Sequence, residues 1–199
     1  MLKFFCHTIS TFVNINLICT RKNLKTKVFL FLLLLSEIVH ANITANLKSF
    51  ASDFTQTIVN EQNAHITYKG KLYAIKANNQ AVWIYTSPVN KKIYYTNGKV
   101  VILEPELEQA IFAKLDKVPN ILTLLKEAKK IGENKYVTTF NKIRYTITFD
   151  GEKLSKITYT DELRNRVQIL FSNQKTDIKI PQNTFRYTIP EDYDILRQR

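Results

Sequence analysis

Side chains able to carry bond-breaking chemistry are sparse in this 199-residue sequence, and they are poorly placed for it. Both cysteines, Cys6 and Cys19, lie in the first 41 residues, so a chain beginning at Asn42 has no thiol nucleophile, disulfide or cysteine metal site. His65 is the one histidine beyond that point, and no GxSxG-like elbow accompanies it. Phosphate loops need clustered glycines, whereas the four glycines here are isolated. Asp150 and Glu152 flank Gly151, which reads as turn chemistry. Glu104, Glu106 and Glu108 alternate around Pro105, where calcium binding competes with a plain solvated acidic loop. The expectation is a protein that is not an enzyme and holds no metal or cofactor.

What the sequence does carry is aromatic and aliphatic surface at strand spacing. Tyr68, Trp83, Tyr85, Tyr94, Tyr95, Phe149, Tyr159 and Phe171 are spread through segments that alternate like β-strands. A sheet with one solvated face alternates cleanly between apolar and polar residues. Here AVWIY from Ala81, KIYYT from Lys92 and KVVILE from Lys99 are apolar on both faces. Two apolar faces need two covers. A curved sheet wrapped round an apolar cavity meets that need, and so does an ordinary sandwich core.

The elements that would position these side chains form a long antiparallel meander. Asn42 caps a short helix carrying Ile43, Leu47 and Phe50, which gives way to a strand near Phe50. Strands are expected over His65 to Ile75, Ala81 to Tyr85, Lys92 to Tyr95 and Lys99 to Leu103, the last pair joined by Asn97-Gly98. Pro105 and Pro119 bracket a less regular segment. Pro119 to Ala128 reads as an apolar helix with proline in its first turn. Four more strands follow, over Tyr136 to Phe140, Arg144 to Phe149, Leu154 to Thr160 and Arg166 to Ser172, and Phe185 to Thr188 reads as a closing strand.

The first 41 residues differ in kind. Arg21, Lys22, Lys25 and Lys27 precede eight apolar residues, Val28 to Leu35, and Val39-His40-Ala41 ends the stretch. That order is a secretory signal peptide with an over-long start, and the apolar run falls well short of the about 20 residues that span a bilayer. A retained membrane anchor is the competing reading. The division is therefore 1–41 as leader and 42–199 as one domain. Without the leader's five basic residues and one acid, the net charge falls from +12 to +8. Such a balance favours an anionic protein or membrane surface; export argues against nucleic acid.

An ordered set of residues then resembles a known family. Phe50, Phe54-Thr55-Gln56, Gly70-x-Leu72, Lys76-x-Asn78, Trp83, Pro88, Asn97-Gly98-Lys99, Pro105-x-Leu107-Glu108-Gln109-Ala110 and Phe185-x-Tyr187-Thr188-x-Pro190 look like the periplasmic outer-membrane lipoprotein carriers of the LolA family. The resemblance implies a mainly β (α+β) protein, an incomplete antiparallel barrel of about eleven strands with a lid of short helices over an apolar cavity. It implies lipoprotein acyl chains as cargo, taken from an inner-membrane ABC release complex. Delivery would be to an outer-membrane receptor lipoprotein or to that membrane directly, by a soluble periplasmic monomer. Phe54, Tyr68, Ala81, Trp83, Tyr85, Tyr94, Phe149, Tyr159 and Phe171 would line the cavity, and Leu47, Ile121, Leu122 and Leu125 would form the lid, flanked by Leu124. In the family an arginine before the tryptophan holds the lid closed. Ala77 stands there in this sequence, which leaves Lys76 as a stand-in latch or apolar packing alone. A lipid- or glycolipid-binding module of the same fold, and a secreted β-rich scaffold or adhesion domain, are the alternatives.

Overall fold

In the computed structural model the described residues are 47–96, 99–114 and 120–197. The leader, the Asn97-Gly98 turn and Pro119 lie outside them, as does the helix expected after Asn42 as far as residue 46; Leu47 and Lys48 are not helical and Phe50 is already in a strand. Twelve strands form one sheet: β1 (Ser49–Val59), β2 (His65–Ile75), β3 (Gln80–Ser87), β4 (Lys91–Thr96), β5 (Lys99–Glu104), β6 (Gln109–Lys114), β7 (Lys129–Gly132), β8 (Lys135–Phe140), β9 (Ile143–Asp150), β10 (Lys153–Thr160), β11 (Arg166–Thr176) and β12 (Asp194–Arg197). Among the described residues one α-helix, α1 (Ile121–Glu127), lies between β6 and β7.

The spatial order is β12-β6-β5-β4-β3-β2-β1-β11-β10-β9-β8-β7. Two sequential meanders, β1–β6 and β7–β11, are therefore sewn together where β1 pairs with β11. Short turns set the registers. Thr96 pairs with Lys99, as a two-residue hairpin loop requires. Lys153 pairs with Asp150 across a turn in which Gly151 takes a left-handed φ of 57°.

Two sequence expectations need correction. The segment between Pro105 and Pro119 is not irregular throughout. After a 3-10 turn over Pro105–Leu107, Glu108 takes a left-handed conformation and β6 runs antiparallel to β5. Nor does the stretch from Phe185 to Thr188 form a closing strand. It follows a 3-10 turn over Gln182–Phe185 and lies across the outer face of the sheet. The strand that ends the sheet is β12, parallel to β6. Pro181 and Pro190 bracket that covering segment, and a segment interrupted so often cannot sustain a ladder.

The two covers demanded by the doubly apolar strands are both present. On the outer face of β2–β6, Val82, Tyr94, Val101, Leu103 and Ala110 pack under Ile180 and Phe185, with Tyr187, Ile189 and Tyr193 alongside. On the inner face, Phe50, Phe54, Leu72, Ala81, Trp83, Phe149, Ile157, Ile169 and Phe171 form the main core with Ile121, Leu124 and Leu125 of α1.

The inner face is curled. Ile93 of β4 and Tyr145 of β9 line the same small cavity although six inter-strand steps separate their strands. In a flat sheet those steps, each about 4.8 Å, would hold them about 29 Å apart. The sheet closes on itself without hydrogen bonding its edges, β12 and β7, to each other. The architecture is an open barrel.

Candidate functional site

The cavity has a volume of about 200 Å³ and lies between the inner face and α1. Its walls come from Gln56 of β1, Trp83 and Tyr85 of β3, Ile93 and Tyr95 of β4, Tyr145 of β9, Ile157 and Tyr159 of β10, Ile169 of β11, and Ile121 and Leu124 of α1. Each strand contributes alternate residues, because successive side chains point to opposite faces.

Aromatic rings meet edge to face beneath this cavity. The Phe54 ring lies 4.9 Å from Trp83 and 5.0 Å from Tyr85, both nearly perpendicular. Trp83 approaches Phe171 at 6.3 Å, and Phe149 meets Tyr136 at 5.3 Å. Gly70, opposite Phe54 in the register, makes room for this stack. A Cβ at Gly70 would collide with the Ile84 carbonyl oxygen and press on the Phe54 ring.

The expected lining residues separate into three groups. Phe54, Ala81, Trp83, Phe149 and Phe171 are buried on the inner face, and Tyr85 and Tyr159 are half-buried against them. Tyr68 is half-buried, edge-on to Tyr85 at 5.8 Å, with the Lys91 ammonium 5.7 Å and 4.9 Å from the two ring centres. Tyr94 is on the wrong side. It packs on the outer face, 5.7 Å from Tyr187, and its neighbour Tyr95 lines the cavity instead. The register decides this: Tyr95 pairs with Ala81 and Tyr94 with Val82. Gln56, Tyr95 and Tyr145 also line the cavity and are not among the lining residues expected from the sequence, although Tyr95 stands among its strand aromatics and Gln56 in the family motif. Counting alternation outward from Trp83 through each register would have found them.

Of the expected lid residues, Ile121 and Leu125 are buried, while Leu122 and Leu47 are partly buried against the inner core. Leu124, thought to flank the lid, faces the cavity together with Ile121. Asn120 caps α1, its Oδ1 accepting from the Leu122 N–H at 3.0 Å. The Asn120 amide also donates to the Asn79 side chain at 3.3 Å, tying the helix start to the β2–β3 turn. Lys76 opens that turn, and its N–H donates to the Lys48 carbonyl at 2.9 Å. Residues 76 and 77, the latch candidate and the alanine at the family's arginine position, sit in this turn rather than on a sheet face.

Burial pushes the Tyr85, Tyr95 and Tyr159 hydroxyls above the ordinary phenol range, and neighbouring tyrosine hydroxyls push them further. The Tyr85 hydroxyl donates to Gln56 Oε1 at 2.8 Å. The acidic loop is spent on structure. Glu106 accepts from the Asn90 N–H and its side-chain amide, and Glu104 accepts from Gln109. Among the described residues, no group of three or more His, Cys, Asp or Glu is placed to hold a metal ion. No described helix is long and apolar enough to cross a membrane. A larger hollow, about 860 Å³, lies at the ends of β1, β9, β10 and β11, where threonines, Arg144, Arg166 and Gln168 mix with Val59, Ile143, Tyr159 and Val167 in its wall.

An open, mainly antiparallel barrel with an aromatic inner face and the short helix α1 across it defines a lidded-cavity protein. The comparisons agree with that class and make it specific. The profile of the outer membrane lipoprotein carrier protein LolA family matches residues 45–142. The outer-membrane lipoprotein carrier protein of Campylobacter jejuni is 40% identical over 152 residues, covering 76% of this chain and 88% of that protein. The protein of the same name in Helicobacter pylori strain J99 is 36% identical over 157 residues, 78% of this chain and 84% of the relative. A LolA superfamily protein of Nitrosomonas europaea has the same fold, with a TM-score of 0.50 at 11% identity over 73% of this chain and 93% of that one. The chain belongs to the LolA outer-membrane lipoprotein carrier family.

Proposed function

We propose that this chain is a periplasmic carrier that shelters lipoprotein acyl chains between the inner and outer membranes. Residues 1–41 direct export and are removed. The carrier receives its cargo from an inner-membrane ABC release complex. It passes the cargo to an outer-membrane receptor lipoprotein or to the membrane itself, as a monomer without cofactor. It is a carrier and not an enzyme.

One observation carries this reading: an aromatic inner sheet face covered by the short helix α1, in a chain of this family. Each buried CH₂ of an acyl chain is worth about 0.8 kcal/mol, so the chains need an apolar cover to cross water. The cavity of about 200 Å³ is smaller than the roughly 300–1,000 Å³ of pockets that enclose a drug-sized ligand. Uptake therefore requires α1 to move off the sheet. The lever is short, seven residues capped by Asn120, and its inward side is apolar.

Trp83 is the sole tryptophan and lines the cavity, so its emission reports occupancy. A diacyl lipopeptide added to the purified protein should shift that emission saturably, and the loaded protein should then surrender the lipopeptide to outer-membrane vesicles. No spectral response at saturation would refute the cavity assignment. Binding without transfer would favour a lipid-sensing module of the same fold.

A further inference from the structure

The cavity wall is not uniformly apolar, and its polar atoms are sorted. Along the inner face the register sets residues in rows running across the strands. One row holds Phe54 and Phe171. The next toward the β1–β2 turn holds Gln56 and Ile169, with Tyr68 opposite Gln56. Beyond it Tyr159 pairs with Val167. Tyr145 is the inward residue of β9 beside Tyr159, and the two rings lie 4.7 Å apart. Tyr85, at the end of β3 nearest this turn, reaches Gln56 with its hydroxyl at 2.8 Å. Phenylalanine thus packs the core at the middle of the strands, and the wall toward the β1–β2 turn carries the Tyr145 and Tyr159 rings and the Gln56 amide; Tyr85 stands by register in the Phe54 row and reaches that amide with its hydroxyl, and Tyr95, in the Phe50 row, is the lining tyrosine at the other end.

Phenylalanine would fill these tyrosine positions with nearly the same volume and no polar atom to desolvate. A hydroxyl in an apolar cavity is costly unless it finds a partner. An acyl chain has the matching asymmetry. Its methylenes are apolar, but it joins its head group through an ester or amide carbonyl that accepts hydrogen bonds and needs one when removed from water. Resting on the carrier reading, we infer that Gln56, Tyr85, Tyr145 and Tyr159 form a hydrogen-bonding subsite for the carbonyls at the head of bound acyl chains, so that the methyl ends run toward Phe54, Trp83 and Phe171. Tyr145 and Tyr159 supply hydroxyl donors to the carbonyl oxygen, and Tyr85, whose one proton is held by Gln56 Oε1, orients the Gln56 amide so that its N–H groups donate as well. A phenol is protonated, and therefore able to donate, across the neutral range, and burial moves the Tyr85 and Tyr159 pKa values further upward.

The test compares a synthetic diacyl lipopeptide, joined by esters, with its dialkyl ether counterpart of equal chain length on the same peptide. Affinities are read from Trp83 emission for the wild-type protein, Tyr85→Phe, and the Tyr85→Phe/Tyr159→Phe double variant, with thermal melts confirming the fold. The wild type should prefer the ester roughly 3- to 10-fold, the range of one or two net hydrogen bonds. The double variant should lose that preference and bind the ether as tightly as the wild type does. Tyr85→Phe alone, which keeps the fold under less demand, should show a partial loss. Equal wild-type affinity for both ligands, or an ester preference that survives in the double variant, would overturn this subsite while leaving the carrier reading intact. Failure of the wild type to bind either ligand would overturn both.

Discussion

Replacing Leu124 by Glu sets the lid against its own cavity, and the outcome follows from a comparison of magnitudes. Ile121, Leu124 and Leu125 of α1 are 2%, 5% and 5% exposed. Burying each such side chain is worth about 1.5–3 kcal/mol, so the three together supply at most about 5–9 kcal/mol to dock the helix. Removing Leu124 leaves about 3–6 kcal/mol. A carboxylate in its place would face Trp83, Ile93, Ile157 and Ile169. The tyrosine hydroxyls of the same cavity are neutral donors that offset only part of the lost hydration, so leaving the charge there costs several kcal/mol, about as much as the remaining docking energy. The helix should swing away rather than bury the charge. The sheet should remain folded, because its hydrogen-bonded ladders do not pass through α1. At neutral pH we expect lipopeptide affinity at Trp83 to fall at least about 10-fold with far-ultraviolet circular dichroism unchanged. Docking raises the new carboxyl's pKa, so the docked state binds the proton more tightly, and docking should recover as pH falls toward about 5. Leu124→Gln should weaken binding without that pH dependence. Wild-type affinity for Leu124→Glu at neutral pH, or an identical loss in both variants at every pH, would refute the placement of Leu124 over the cavity.

Three further outcomes follow from the same geometry. Gly70→Ala should lower stability by about 1–3 kcal/mol in a denaturant titration, because the Ile84 backbone cannot yield as a side chain could. Asn120→Ala removes both the α1 cap and the tie to Asn79, and should cost about 1 kcal/mol of lid docking, seen as roughly 5-fold weaker lipopeptide binding at little cost to the melting temperature of the sheet. The raised phenol pKa values of Tyr85 and Tyr159 mean that the folded protein holds these protons more tightly than the unfolded chain does. Their contribution is complete below the unfolded phenol pKa of about 10 and is lost as pH rises through the folded values, so Tyr85→Phe/Tyr159→Phe should move the alkaline unfolding midpoint upward.

Much of the architecture was legible from local pattern. Period-two alternation placed β2 at its observed bounds and most other strands within a residue or two, and Pro119 with the apolar run after it marked α1. These features are local, because a strand's alternation and a helix's capping residues are written within a few positions of each other. The strand expected over Phe185 to Thr188 failed for a reason no local pattern holds. Its apolar residues are those of a cover, and whether an apolar segment joins a sheet or lies across it depends on what remains exposed elsewhere. Strands apolar on both faces announced that two covers were needed, but they did not announce that residues 178–193 supply the outer one.

The cavity itself divides along the same line. The sequence alone determines that Tyr94 and Tyr95 point to opposite faces, since a strand permits nothing else. Which of them enters the cavity was decided by the pairing of Ala81 with Tyr95, and through it by registers running to β1 and β11. Curvature is likewise tertiary. Ile93 and Tyr145 share one cavity only because a twelve-stranded sheet curls, and curling sums small twists over many strands. The residue types and their alternation are properties of the chain; the meeting of Gln56, Tyr85, Tyr145 and Tyr159 in a common cavity belongs to the closed sheet.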